Sequence, residues 1–519
     1  MVLNRSQNNG KEKSIMSKNG KKKFSFPSAY VVLFIVMIIA VILTYAIPAG
    51  EYSKLTYDED ANVFVITAPD GSSEEMEATQ ESLDQLGINA KLDNFTGGNI
   101  SKPMAVSGTY VPQEQNGQGI SDFLLNIPYG VYDCVDIIFF IFMIGGAVGI
   151  VNYLGVFNAG ISELARVSKG REQIIIAVVC FLIALGGTSF GMCEETIAFY
   201  PILIPIFLKT GYDAMTGVAA IWCGSALGCM FSTVNPFSVV IASSAAGINF
   251  SEGLTMRLIG LILGVIITLW YIFRYAKKVK ADPTVGINYE NQAWTEEHFG
   301  YKEENAKQMS GKDKLILCLF FITFVIMVIG VVKLDWWFEQ MAVLFLVSGI
   351  IMGIIGGMNE KKIGEVFIGG ASDLVGVALV CGLARAVNML LESGKVSDTL
   401  LYTMSNWVEG MNPILFTLAV MLIFIVLGFF IASTSGLAIL SIPIIAPLAD
   451  TVGIPREIVI SAYIYGQGLI NLITPTNIIL PVLQMTNITY DKYLKWVGPL
   501  FGLYAVLGAV MLIVELQFC

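Results

Sequence analysis

Histidine is almost missing from this sequence: His298 is the only one in 519 residues. A histidine-based proton relay, a histidine metal site and a Ser-His-Asp hydrolase each need such a residue deep in the fold. His298 instead stands between Glu297 and Phe299 in a polar, acidic segment. The eight cysteines, at 134, 180, 193, 223, 229, 318, 381 and 519, are scattered singly and form no C-x-x-C. They read as small core residues, which excludes a disulfide framework and a structural zinc. Charge is also scarce, at 14% of residues against 55% hydrophobic, with mean hydropathy +0.69. A soluble chain of this length would divide into several domains with amphipathic helices. Apolar runs near membrane length, separated by charged punctuation, describe an all-α polytopic membrane protein in a lipid bilayer, with no nucleic-acid partner.

The charges that exist are segregated. Residues 1–27 hold Arg5, Lys11, Lys13, Lys18, Lys21, Lys22 and Lys23 against Glu12, and a start at Met16 would keep the last three lysines. This basic tail precedes the first apolar run, 28–49, which lacks a small-residue cleavage site and reads as an anchored helix with a cytoplasmic N-terminus. The insert at 50–127 carries eleven acids against Lys54 and Lys91 between Glu51 and Asp93, which places it outside the cell membrane. Its sequons at Asn94 and Asn99 matter only in a glycosylating host. A first membrane repeat is expected over 128–276, with its basic landing at "ARVSKGRE". A cytoplasmic linker follows over 277–313, then connecting helices and a second repeat over 314–515, which includes a span at about 366–392.

Two segments, 173–209 and 413–450, are interrupted at Gly186-Gly187-Thr188-Ser189 and at "STSG", where the glycines permit a turn, and read as re-entrant hairpins. Arms of about 14 to 16 residues at ~1.5 Å each fall short of ~30 Å of hydrocarbon. The runs around "STVNPF" and "TPTN" read as discontinuous helices, because proline removes a helical donor. The expected total is about 9 to 11 transmembrane helices besides these elements.

The halves align without a gap: Pro201 on Pro443, Pro205 on Pro447, Gly211 on Gly453, Gly224 on Gly466 and Asn235 on Asn477, each pair 242 residues apart. Proline, glycine and asparagine at a constant offset indicate internal duplication. Counting crossings from a cytoplasmic N-terminus brings the hairpins in from opposite sides. The result is a pair of inverted-topology repeats, the architecture of secondary transporters.

"GGTSFGMCEETIAFYPILIP", residues 186–205, puts Glu194 and Glu195 beside a hairpin tip. A glutamate facing lipid at a helix centre costs roughly 2.5–3.5 kcal/mol, so both should face protein or water. Being about 100° apart on a helix, only one should point at a substrate. The structural alternative is that they cap hairpin amides or pair with Arg385. Arg385 reads either as a clamp for a substrate carboxylate, with Asn388 one turn on, or as half of a buried ion pair with a glutamate. Thr188, Ser189, Gly191, Ser433, Thr434 and Ser435 at the tips, and Asn235 and Asn477 at the breaks, complete the expected substrate site. Ser232, Thr233, Asn235, Thr474, Thr476 and Asn477, with the glutamates, are candidates for ion coupling, since freed carbonyls can bind Na⁺. Gln467 and Asn471 either line the path or bond between helices. Gly145/Gly149, Gly224/Gly228 and Gly349/Gly353 read as helix-packing spacings. The G-x-S-x-G match at Gly187–Gly191 lacks the strand, helix and histidine of a hydrolase elbow, so no enzyme is expected.

At these residues the chain resembles the YfcC family of C4-dicarboxylate anaerobic carriers, within the wider ion transporter superfamily. The matching stretches are "FFIFMIGGAVGIV", the hairpin above, "STVNPFSVVIASSAAG", "STSGLAILSIPIIAPLAD" and "TPTN"; Cys193 stands where the G-M-x-E-E core would carry glycine. The resemblance implies a secondary carrier whose hairpins and broken helices form a mobile unit against a scaffold. It implies no cofactor, with Na⁺ or H⁺ as candidate coupling ion, and the wider superfamily adds elevator motion and a homodimer. Some members are similar to arginine/ornithine exchangers, whereas the family label says dicarboxylate. Two acids and no base at the first tip favour a cationic substrate or ion. The expected function is therefore exchange of basic amino acids, with H⁺- or Na⁺-coupled C4-dicarboxylate transport as the alternative. A channel would need no mirrored hairpins.

Overall fold

The computed structural model describes residues 27–98, 100–157, 159, 171–299, 310–334 and 336–518. The basic tail before residue 27, Asn99, part of the "ARVSKGRE" landing and the 300–309 stretch of the linker lie outside the described residues. Among the described residues, ten helices are long and apolar enough to cross a membrane. They turn aliphatic side chains such as Ile42, Leu182, Ile266 and Val506 outward, as lipid-facing helices do.

The sequence offset is repeated helix by helix. Ile120–Asp133 corresponds to Glu360–Ser372, Val135–Tyr153 to Val375–Ser393, Gln173–Phe190 to Pro413–Phe430, and Leu254–Ala281 to Tyr490–Phe518. The first two pairs cross over: Ile120–Asp133 packs on Val375–Ser393, and Val135–Tyr153 on Glu360–Ser372. Such exchange of partners is what a two-fold relation between the halves requires. At the second crossing a Cβ on Gly145 would stand 2.6 Å from the Gly370 carbonyl oxygen, and one on Gly149 2.9 Å from its Cα. These glycines allow close helix contact.

Contacts at the loops give the inversion. Gly211 and Gly453, related by the offset, both turn at positive φ, 87° and 72°, at the bases of the two hairpins. Beside the second base, Arg456 donates to the Ala246 carbonyl (2.6 Å), where the first broken helix ends. Beside the first base, Tyr275 joins Asp213 to Ile287 of the linker. The adjoining Asn288 and Asn291 donate to the carbonyl of Asn487 (3.2 and 3.0 Å), where the second broken helix ends. Each hairpin base therefore neighbours the far end of the other repeat's broken helix.

Three of the four hairpin arms are longer than expected. The first consists of Gln173–Phe190, then a 3₁₀ turn over Glu194–Phe199 and Tyr200–Lys209; the second of Pro413–Phe430 and Thr434–Thr451. Eighteen helical residues reach ~27 Å. The error lay in reading Gly186-Gly187 as the turn. Both are helical, and a Cβ on Gly187 would meet the Ser225 carbonyl at 2.6 Å. The chain turns later, at Gly191, whose φ is 74°. Likewise the stretch 366–392, expected as one span, is parts of two helices meeting at Asp373-Leu374, and the helix Ile120–Asp133 begins within the stretch assigned to the insert.

The membrane part is all helical, but the insert adds strands that its acidic composition concealed. A four-stranded antiparallel sheet has the order β4-β3-β2-β5, with β2 Lys54–Asp58, β3 Val63–Thr67, β4 Ser73–Glu77 and β5 Met104–Ala105; Gly50–Glu51 pairs with Val111–Pro112. Leu55, Phe64, Phe95 and Met104 form its buried centre. The insert docks on the helix Val396–Val408 through Tyr52 to Asp398 (3.1 Å) and the stacked rings of Tyr110 and Tyr402. Its Asn94 donates to Ser244 near the end of the first broken helix.

In a cysteine-free variant, single cysteines replacing Arg171 and Thr451 are expected to react with a membrane-impermeant maleimide from opposite faces. Labelling of both from one face would remove the inversion.

Candidate functional site

The four interrupted elements meet at one cavity of about 380 Å³. Gly191, Cys193, Glu194 and Glu195 reach its wall from the first hairpin tip and Asn235 from the first break. Ser433, Thr434 and Ser435 come from the second tip, and Thr476 and Asn477 from the second break. Arg385 and Asn388 on Val375–Ser393, and Gln467 and Asn471 on or ending Arg456–Asn471, complete the wall.

Each break is held by side chains. The first helix stops at Met230 and resumes at Pro236 as a π-turn; the second stops at Asn471 and resumes at Ile479. The resumed helices are approached by matching asparagines. Asn235 Oδ1 accepts from Phe237 N–H (2.9 Å) and Asn477 Oδ1 from Ile478 N–H (2.6 Å). Asn477 also accepts from the Cys193 thiol (3.6 Å), which ties the first tip to the second break. Asn235 lies so close to the first tip that a Cβ on Gly191 would be 2.8 Å from its Nδ2. The second tip is capped by Ser433, whose Oγ accepts from Gly436 N–H (3.1 Å), and Tyr463 donates to the Thr434 carbonyl (2.7 Å).

Several expected site residues serve the breaks and do not line the cavity. Thr188 donates to the Phe231 carbonyl (2.9 Å) and accepts from Thr233 N–H (3.0 Å). Ser189 bonds back to Leu185, Ser232 to Cys229, and Thr474 shares a bond with Thr476. Three carbonyls beside the breaks are bonded to side chains: Phe231 by Thr188, Leu472 by Trp222 (3.2 Å) and Tyr493 (2.7 Å), and Ile473 by Tyr490.

The charged residues also depart from expectation. Both glutamates reach the wall, because they open a 3₁₀ turn. Glu195 is buried and accepts from Cys193 N–H (3.0 Å), the capping arrangement, while Glu194 is half-buried. Arg385 pairs with Asp133, through Nε, and not with a glutamate. Asp133, Asp136 and Lys102 are wall residues that the sequence did not reveal. Asp133 and Asp136 flank the junction of two helices where composition suggests a loop, and Lys102 belongs to the insert. Asp136 accepts from Trp337 Nε1 (3.0 Å). Elsewhere, Arg257 and Glu515 are two fully buried charged residues, with Ser461 donating to Glu515 (3.1 Å). Among the described residues no cluster of three His, Cys, Asp or Glu side chains is placed to hold a metal.

The Asp133 and Arg385 side chains are both about a third exposed (37% and 30%), so their pairing belongs at the modest end of ion-pair energies. A double-mutant cycle of Asp133→Ala and Arg385→Ala, read by thermal unfolding of the detergent-purified protein, is expected to give a coupling of about 1 kcal/mol. Additive single effects would mark the pair as incidental.

Comparison with known proteins identifies the family. The family model described as DcuC, C4-dicarboxylate anaerobic carrier, matches residues 26–517. An uncharacterised protein of Haemophilus influenzae Rd is 47% identical over 499 residues, covering 96% of this chain and 98% of its own. The Escherichia coli K12 protein YfcC, provisionally named a basic amino acid antiporter, is 28% identical over 516 residues, again with 96% and 98% coverage. Among solved structures, Neisseria gonorrhoeae MtrF aligns over 95% of both chains at 12% identity and TM-score 0.38. Alcanivorax borkumensis YdaH aligns over 95% and 99% at 14% and 0.37. By the match along nearly its whole length, the chain belongs to the DcuC family of membrane transporters.

Proposed function

We propose that the protein is a secondary carrier of the cytoplasmic membrane, its N-terminus in the cytoplasm, that exchanges basic amino acids of the arginine/ornithine type. The observation that carries this reading is the charge of the cavity wall. Asp133, Asp136, Glu194 and Glu195 face two cations, Lys102 and Arg385, and Arg385 is already matched by Asp133. A wall with surplus carboxylate attracts a substrate with surplus positive charge.

In this reading Glu194 and Glu195 take the cationic groups of the substrate. Ser433, Thr434 and Ser435 present the amino end of a helix to its carboxylate. Gly191, Asn235, Asn388, Thr476 and Asn477 shape the remaining wall, while Thr188, Ser189, Ser232, Thr233 and Thr474 hold the breaks in position. The two hairpins and broken helices move as one body past a scaffold, in an elevator-like homodimer. The provisional name of YfcC supports the amino-acid reading. The family description supports the second, H⁺- or Na⁺-coupled dicarboxylate transport, for which Lys102 and Arg385 are the specific wall residues.

Proteoliposomes loaded with ornithine are expected to accumulate labelled arginine by counterflow and to ignore succinate. Uptake of succinate without arginine would reverse the assignment. Glu194→Gln and Glu195→Gln are each expected to lower arginine exchange about ten- to a hundredfold, the size of a lost charge-assisted contact, with normal insertion and purification. Unchanged exchange in both variants would remove the glutamates from the site.

A further inference from the structure

Lys102 is the insert's one cationic contribution to the cavity wall. Its Nζ lies 2.9 Å from Ser435 Oγ and 3.2 Å from Ser433 Oγ, both hydroxyls of the second hairpin tip. The ammonium rests on two neutral hydroxyls with no counter-ion in direct contact among the described residues, so its charge remains available to an anion. Partial desolvation against the tip and the nearby Arg385 guanidinium lower its pKa from the ordinary lysine value, while Glu392 and Asp133 act the other way; the residue as a whole remains exposed.

The backbone fixes this position. Lys102 lies two residues before β5, where Met104 is fully buried and pairs with Leu55, and β5 rests against the helix Thr434–Thr451. That helix starts at the two residues whose hydroxyls frame the ammonium. Ser433 Oγ satisfies the amide of Gly436, and the Ser433 carbonyl accepts from Leu437 N–H. A second observation points to a ligand on the same wall: Gln467 is 2% exposed, and its Nε2, a donor, has no hydrogen-bond partner among the described residues. A buried amide left unpaired costs about 1–3 kcal/mol, and an entering acceptor would relieve it.

We propose that Lys102 is a substrate-binding residue that takes the substrate's carboxylate at the second hairpin tip, so that the insert completes the site from its own face of the membrane. The inference rests on the cavity being the transport site. It does not depend on which substrate is carried, because amino acids and dicarboxylates share the carboxylate.

The test uses the full chain in proteoliposomes and compares arginine with agmatine, which lacks the carboxylate, as competitors of labelled arginine. In the unaltered protein arginine should compete at least about tenfold better, one charge-assisted contact's worth. In Lys102→Ala that advantage should collapse, with agmatine's own inhibition constant moving less than about twofold, and Lys102→Arg should restore it. If Lys102 merely clipped the insert to the tip, both competitors would shift together. An arginine-to-agmatine ratio unchanged in Lys102→Ala would overturn the proposal. Should succinate prove to be the substrate, the amino-acid reading fails, but the same comparison of succinate with its monoamide decides the role of Lys102. Lys102→Ala should narrow that ratio, and an unchanged ratio would overturn the role.

Discussion

A helix interrupted inside hydrocarbon strands backbone carbonyls that cost several kcal/mol each if left bare. This protein interrupts two, and nearly everything near the cavity follows from how they are satisfied. The Phe231 carbonyl takes the Thr188 hydroxyl, and its equivalent at the offset of 242, Ile473, takes the Tyr490 hydroxyl. Leu472 is bound by Trp222 of the first repeat and by Tyr493 of the last helix. Because one break depends on a donor from the other half, the halves cannot be positioned independently. The space that remains between the satisfied breaks and the two tips is the cavity.

Polarity at a break has two uses, holding the backbone and facing a ligand, and sequence cannot separate them. Thr188 and Asn235 are equally polar and equally close to an interruption. Yet Thr188 turns to the Phe231 carbonyl, while Asn235 caps the resumed helix and reaches the wall. The inverted pair was legible because proline, glycine and asparagine have backbone consequences wherever they occur, so their spacing records architecture. Gly186 and Gly187 misled for a related reason. A glycine marks either a turn or a close contact, and here the contact with Ser225 won, leaving Gly191 to turn.

Charged wall residues divide along the same line. Glu194 and Glu195 stood out because acids within apolar sequence are costly to leave facing lipid. Asp133, Asp136 and Lys102 did not, since each lies where a loop or an aqueous domain is the default reading. The Asp133 partner of Arg385 has no sequence signature at all: it comes from the crossing of Ile120–Asp133 on Val375–Ser393, a tertiary event. The strands of the insert were hidden in a similar way. In "KLTYD" and "VFVIT" one fully buried residue each, Leu55 and Phe64, anchors a strand whose other positions tolerate polarity.

Two equal inverted repeats would present equivalent faces, so any difference between the faces must come from what the repeats do not share. The insert and the linker are among those parts. On one face the insert bonds to Ser244, and on the other the linker bonds to Asn487, positions that correspond within one or two residues at the offset. The ends of the two broken helices are therefore restrained by unlike structures, a sheet on one side and a short strap on the other. A ligand that bridges the insert to a hairpin tip would act on one face alone. Asymmetry added to a symmetric core thus leaves the two faces unequal, one held by a sheet and the other by a short strap.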